Sequence, residues 1–131
     1  MSVITGVERA ERKELKWRMD RAEPLVLLEI EPEDEYRRGH LPGALSVPPE
    51  RVAELVPKLV RERETEVVVY CCAPDCMEGR RAAKELEGLG YTNVRSYDGG
   101  KRDWVDHGFA LENESAPAVF APGPAPAGKV E

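Results

Sequence analysis

Short apolar runs between polar segments constrain the fold of this chain most. Residues 25–30 read LVLLEI and residues 67–70 read VVVY. Near-continuous apolar runs of this length are typical of strands that are buried on both faces. A further short strand is predicted at residues 94–97, and helical periodicity marks residues 50–60 and 80–89. Because strands alternate with helices, the pattern predicts an α/β fold in which helices flank a central parallel sheet.

The length and composition predict one small domain followed by a tail. A chain of 131 residues is one domain by length, and 41% hydrophobic residues suffice for one modest core. We assign residues 1–112 to this domain and expect its first helix at about residues 7–22. Residues 113–131 are rich in Pro and Ala and carry little apolar bulk, so we expect a flexible tail there.

The charge and hydropathy of the chain argue against two classes of partner. A formal net charge of −6 provides no basic surface for nucleic acid. No apolar run reaches the length of a membrane span, and the N-terminal segment is too polar for a secretory signal. We therefore expect a cytoplasmic protein that binds neither nucleic acid nor a membrane.

All three cysteines lie in one loop, between the strand at residues 67–70 and the helix that follows. Ligands of parallel α/β sheets bind at the carboxyl ends of strands. A thiol at such a place faces the positive end of the next helix, which favours its thiolate form. The alternative is that the cysteines are small buried apolar residues, as free cysteines often are. Clustering in a loop that also contains Pro74 and Gly79 is unlike core filling, so the loop is predicted to be a reactive site.

Several motifs occur together in an order that resembles a rhodanese-like domain. They cover residues 27–36, 39–44, 67–71, 89–94 and 98–108. The resemblance extends over roughly residues 10–112 and implies a small α/β domain with a parallel sheet. It also implies sulfur transfer, in which a loop cysteine takes sulfur from a sulfane-sulfur donor such as thiosulfate or a persulfide. The cysteine then holds the sulfur as a persulfide and passes it to a thiol or protein acceptor, and we expect no cofactor.

The resemblance also ranks the residues of the loop. Cys71 aligns with the family's nucleophile because it directly follows the strand, and the loop is two residues longer than the common six-residue type. Cys76, deeper in the loop, is the second candidate, and one cysteine of the pair could resolve the other as a disulfide. We expect Cys72 to be structural and to point away from Cys71. Arg80 and Arg81 are candidates for binding an oxyanion substrate. We expect no metal, because the spacing is not C-x-x-C and the loop has no histidine.

Departures from the family pattern leave two other functions open. Glu29, Ile30 and Glu31 stand where the family usually has Asp, a hydrophobic residue and Arg. Loss of that cation favours a catalytically inactive binding or regulatory module. The longer loop favours a phosphatase or an arsenate reductase-type enzyme, although Asp75 and Glu78 would repel a dianionic substrate. A sulfurtransferase or persulfide carrier is the leading hypothesis.

Overall fold

The computed structural model describes residues 7–113, and the predicted tail from residue 114 onward lies outside them. Five parallel strands form one sheet in the order β1-β5-β4-β2-β3. The strands are β1 (Glu8–Arg9), β2 (Val26–Glu29), β3 (Leu45–Ser46), β4 (Val67–Tyr70) and β5 (Val94–Tyr97). The predicted α/β fold with a central parallel sheet is confirmed, and the three predicted runs form its three central strands.

Helices alternate with these strands along the chain. They are α1 (Arg12–Asp20), α2 (Glu33–Arg38), α3 (Val52–Leu59), α4 (Glu78–Gly88) and α5 (Gly100–Asp106), and a 3-10 turn at Pro49–Arg51 precedes α3. The first helix is shorter than the predicted 7–22, because residues 8 and 9 pair with β5 instead. Within the described residues, every helix is too short or too polar to cross a membrane.

The sheet separates two apolar cores, which explains why its central strands are apolar on both faces. On one face, α3 and α4 pack against β2 and β4 through Leu28, Val56, Val67, Val69, Ala83 and Leu86. On the other face, α1 and α5 cover the same strands through Leu15, Leu27, Val68, Tyr70 and Trp104. Helices therefore flank both faces of the sheet, as the sequence predicts.

The central strands end in register at one edge of the sheet. Glu29 pairs with Tyr70, and Tyr70 pairs with Tyr97. Because the strands are parallel, the residues that follow each of these positions emerge on the same side. The cysteine loop after β4 therefore lies between the segment after β2 and the segment after β5.

Candidate functional site

The backbone of the cysteine loop is fixed to the start of α5. The carbonyl oxygen of Cys71 accepts a hydrogen bond of 3.1 Å from the Lys101 N–H, and that of Cys72 accepts one of 2.9 Å from the Arg102 N–H. The approach depends on Gly100, which has a φ of 69°. A Cβ atom there would lie 2.6 Å from the carbonyl oxygen of Cys71. The turn before α5 therefore requires glycine and holds the first two cysteines in place.

Cys71 and Cys76, the two predicted reactive cysteines, are joined as a disulfide, with their Cα atoms 6.5 Å apart. The Cys76 N–H donates to the carbonyl oxygen of Ala73 at 3.0 Å, and this turn folds the loop back on itself. Cys71 is 4% exposed, whereas Cys76 is partly exposed. Helix α4 starts at Glu78, two residues after Cys76 and two residues before the helical periodicity of residues 80–89. The loop thus brings both thiols to the start of an 11-residue helix.

Cys72, which is predicted to be structural and to point away from Cys71, lies next to Glu31 and Cys76. It is exposed, and its Sγ lies in a group with a Glu31 carboxylate oxygen and the Cys76 Sγ, all within 4.8 Å of one another. Loss of solvation raises the pKa of the Cys72 thiol, and the negative charge of Glu31 raises it further. Both effects disfavour the thiolate of Cys72, and the thiolate is the nucleophilic form of a cysteine.

Glu29 is fully buried beneath the loop, and two side chains compensate its charge. Tyr70 donates its hydroxyl to Oε1 at 2.8 Å, and Lys101 donates its ammonium to Oε2 at 2.9 Å. Lys101 also donates to the carbonyl oxygens of Glu35 and Gly39, at 3.1 and 2.8 Å. Burial raises the pKa of Glu29, and the hydrogen bond from Lys101 opposes that rise.

Lys101 is a residue that the sequence analysis missed. It brings a cation to the end of β2, where the family pattern usually has an arginine and this chain has Glu31. Lys101 comes directly after Gly99 and Gly100, and this place in the sequence is the only feature that could have suggested its role. Since Lys101 lies 72 positions after Glu29, spacing within either motif does not reveal their contact.

Glu31 is buried but incompletely bonded. It is 7% exposed, and its Oε2 has no hydrogen-bond partner within residues 7–113. Burial raises the pKa of Glu31, and the interaction with the Cys72 thiol opposes that rise. The ion pairs described for residues 7–113 do not include this carboxylate.

The two predicted substrate-binding arginines lie on α4 and are engaged elsewhere. Arg80 donates to the Asp98 carboxylate at 3.0 Å, and Asp98 also pairs with Arg9 at 3.3 Å. Arg81 is exposed and pairs with Glu78 at 3.4 Å. The contacts described for these arginines do not include the cysteines, and their role in binding substrate stays a prediction.

A comparison with protein families identifies the family of this chain. The family model of the rhodanese-like domain matches residues 11–107. This chain belongs to the rhodanese-like domain family, as its sequence motifs predict.

Individual relatives carry different names. Thiosulfate sulfurtransferase 18 of Arabidopsis thaliana is 33% identical over 103 residues, a match that covers 66% of this chain and 71% of that protein. The HTH-type transcriptional regulator Rv0324 of Mycobacterium tuberculosis is 30% identical over 106 residues, which cover 81% of this chain but only 45% of the regulator. The chain thus spans less than half the length of the mycobacterial relative.

Solved structures show the same fold. The human single-domain sulfurtransferase TSTD1 has a TM-score of 0.66 at 23% identity, with 76% of this chain and 96% of that chain covered. A thiosulfate sulfurtransferase from Pseudomonas aeruginosa has a TM-score of 0.75 at 23% identity, covering 86% of this chain and 21% of that chain.

Proposed function

We propose that this protein is a sulfurtransferase that carries sulfane sulfur on Cys71. The Cys71 thiolate attacks the sulfane sulfur of a donor, and the donor's bond to that sulfur breaks. With thiosulfate, sulfite leaves with the electron pair and Cys71 keeps the sulfur as a persulfide. The observation that supports this most is the place of Cys71, at the end of a central strand, beside the start of α4 and within bonding reach of Cys76.

Cys76 supplies the resolving thiol of this proposal. Its thiolate attacks the inner sulfur of the Cys71 persulfide, and the terminal sulfur leaves as hydrosulfide. The product is the Cys71–Cys76 disulfide, which the Cα separation of 6.5 Å between these residues allows. Two equivalents of an external thiol then reduce the disulfide and return the loop to its starting state. Resolution competes with direct transfer of the sulfur to a thiol or protein acceptor, and both need the reduced thiols expected of a cytoplasmic location.

The charges around the loop favour one kind of donor. Glu31, Asp75 and Glu78 are acidic, and the charges of Arg80 and Arg81 are partly neutralised by Asp98 and Glu78. A dianion such as thiosulfate is repelled by such a surface more than a singly charged or neutral persulfide is. We therefore expect a small persulfide to load Cys71 faster than thiosulfate does. The same repulsion argues against a phosphatase or an arsenate reductase-type enzyme.

One argument for the alternative function, an inactive binding module, becomes weaker. That alternative depends on Glu29 and Glu31 replacing a pattern that contains a cation. Lys101 returns a cation to that place and holds Glu29 under the loop. The buried charge beneath Cys71 is therefore compensated, which fits a maintained active loop better than a degraded one.

Mass spectrometry of the reduced protein tests the sulfurtransferase proposal. After incubation with a small persulfide or with thiosulfate, we expect the peptide that contains Cys71 to gain the mass of one sulfur atom. The Cys71→Ser variant should gain none, since a serine hydroxyl is not ionised near neutral pH. Cys72→Ser should load like the wild type. If neither the folded, reduced wild type nor Cys76→Ser, which cannot resolve the persulfide as a disulfide, takes up sulfur from either donor, the proposal is wrong and the binding module replaces it.

A further inference from the structure

Three potential metal ligands converge beside the loop cysteine that the proposed chemistry uses. A carboxylate oxygen of Glu31 and the Sγ atoms of Cys72 and Cys76 lie within 4.8 Å of one another. We propose that, when Cys76 is reduced, these three residues bind one thiophilic divalent cation, with Zn²⁺ as the best fit. This site is separate from the persulfide on Cys71 and does not depend on the proposed function.

Strand register brings two of the ligands together. Glu29 pairs with Tyr70 where β2 and β4 end, and the Ile30 N–H donates to the Tyr70 carbonyl oxygen at 2.8 Å. Glu31 and Cys72 each lie two residues beyond this pair, so they emerge side by side. The turn from Ala73 to Cys76 then returns the third ligand to the same place. The strand register therefore positions Glu31 and Cys72, and the turn of the loop positions Cys76.

The unpartnered oxygen of Glu31 points to a cation ligand. The Glu31 side chain is more than nine-tenths buried, and its Oε2 has no hydrogen-bond partner in the described part of the chain. A buried carboxylate without a full set of partners is unfavourable, and such groups in proteins are paired or coordinate metals. A cation bound between Glu31, Cys72 and Cys76 would provide the partner.

The charges that face these ligands also favour a cation. Glu31 is near the carboxylates of Glu29 and Glu35, and Cys72 is near Asp75. The cation that acts on Glu31 is Lys101, which is already bonded to Glu29. The local field is therefore dominated by negative groups, which would stabilise a bound cation. The cation itself would then stabilise the thiolates that ligate it.

The donor set selects the kind of metal. Thiolates favour Zn²⁺ over Mg²⁺ or Ca²⁺, which prefer oxygen ligands. Zn²⁺ lies about 2.3 Å from a thiolate sulfur and about 2.0–2.2 Å from a carboxylate oxygen. Ligand atoms within 4.8 Å of one another reach those distances with small side-chain rotations. Three protein ligands also leave a fourth position open, as in catalytic zinc sites rather than structural ones.

The sequence analysis expected no metal because it considered the loop alone. Neither a C-x-x-C spacing nor a histidine is present there, but the third ligand comes from the neighbouring strand end. Cys76 serves either the metal or the disulfide with Cys71, since a disulfide sulfur has no thiolate to donate. Metal binding would therefore keep Cys76 reduced and withdraw it from resolving a persulfide.

Metal titration of the reduced full-length chain tests this site. We would remove metals with a chelator, keep the thiols reduced, and titrate Zn²⁺ by calorimetry and Co²⁺ by optical absorption. We expect one equivalent per chain and, with Co²⁺, the thiolate-to-metal charge-transfer bands and the intense visible bands of a tetrahedral site. Cys72→Ser and Cys76→Ser should each weaken binding beyond the roughly 10- to 100-fold cost of altering a residue outside the ligand shell. Glu31→Gln should weaken it by at least about tenfold.

Cys71→Ser is the matched control, because it removes a neighbouring thiol and the competing disulfide but no proposed ligand. We expect this variant to bind Zn²⁺ and Co²⁺ as tightly as the reduced wild type. The proposal is overturned if the reduced wild type binds neither metal, or if Cys72→Ser binds as tightly as the wild type. It is also overturned if Cys71→Ser loses binding while Glu31→Gln keeps it, since the ligands would then be the cysteines alone. Cys72 is exposed, so its variant tests the site without a folding defect.

Discussion

Lys101 holds Glu29 across the cysteine loop, with 2.9 Å between its Nζ and the Glu29 Oε2. The Lys101 N–H also donates to the Cys71 carbonyl oxygen. One residue thus neutralises the buried carboxylate under the loop with its side chain and fixes the loop with its backbone. The stability of the domain and the position of the reactive cysteine are coupled through this residue.

Removing the Lys101 charge should destabilise the domain strongly. Lys101→Met would leave Glu29, which is fully buried, without its cation, and breaking a buried ion pair costs about 3–5 kcal/mol. Chemical denaturation would measure the free energy of unfolding. The double variant Lys101→Met/Glu29→Gln should recover part of the loss, because no charge is then left buried. Lys13→Met, at an exposed position of α1, is the control and should change stability little. An equal loss in both lysine variants would contradict the role of the ion pair.

A side chain at Gly100 should disturb the loop. Gly100→Ala places a Cβ 2.6 Å from the Cys71 carbonyl oxygen in a backbone conformation with φ of 69°. We expect a loss of about 1–3 kcal/mol in the free energy of unfolding and slower sulfur loading of Cys71. Gly88→Ala is the matched control, since a Cβ at that helical position would have no atom within 4 Å. If Gly100→Ala is as stable and as active as Gly88→Ala, the close approach of Gly100 to Cys71 does not hold the loop.

The ion pair between Arg18 and Glu66 predicts a dependence of stability on pH. The hydrogen bond from Arg18 lowers the pKa of Glu66 below its ordinary value of 4.5. A carboxyl whose pKa is lower in the folded state adds stability above its unfolded pKa and loses that contribution as the pH falls through the folded pKa. Glu66→Gln should therefore cost about 1.5–3 kcal/mol at neutral pH, and this cost should shrink as the pH falls below about 4.5.

Denaturation of wild type and variant across this pH range would measure the difference. Glu54→Gln is the control, because Glu54 pairs with Arg51 at an exposed position and its loss should be undetectable. A Glu66→Gln cost that is the same at acidic and neutral pH would show that the pair does not set the pKa of Glu66.

The two arginines of α4 should behave differently from each other. Arg80→Ala removes the ion pair with Asp98 and should lower the free energy of unfolding by up to about 1 kcal/mol. Arg81→Ala removes only an exposed pair with Glu78 and should leave stability unchanged. If these arginines bind substrate, as the sequence predicts, each variant should raise the donor concentration that gives half-maximal sulfur loading. An unchanged value in both variants would contradict that role.

The sequence predicts those parts of the fold that are buried on both faces. Strands β2 and β4 are recognisable because their apolar residues follow one another directly in the sequence. Strand β1 is not, since Glu8 and Arg9 are exposed and polar. Their pairing with Arg95 and Ser96 depends on the assembled sheet, so local periodicity favours an early start of the helix.

The site is predictable to a similar extent. The clustering of Cys71 and Cys76 and the start of α4 follow from the chain order. The contact between Glu29 and Lys101 does not, because it joins residues from distant elements. The position of Cys72 beside Glu31 depends on the register of β2 against β4, which the sequence does not reveal. The residues whose surroundings differ from the prediction are therefore those whose contacts come from distant parts of the sequence.

The two outermost strands have a consequence for contacts between molecules. Strands β1 and β3 contain two residues each, whereas each of the three strands between them contains four residues. An edge strand exposes unpaired N–H and C=O groups that can recruit a strand from another chain. With edges this short, each border of the sheet exposes few such groups. Strand addition from another molecule is therefore disfavoured at both borders of the described sheet.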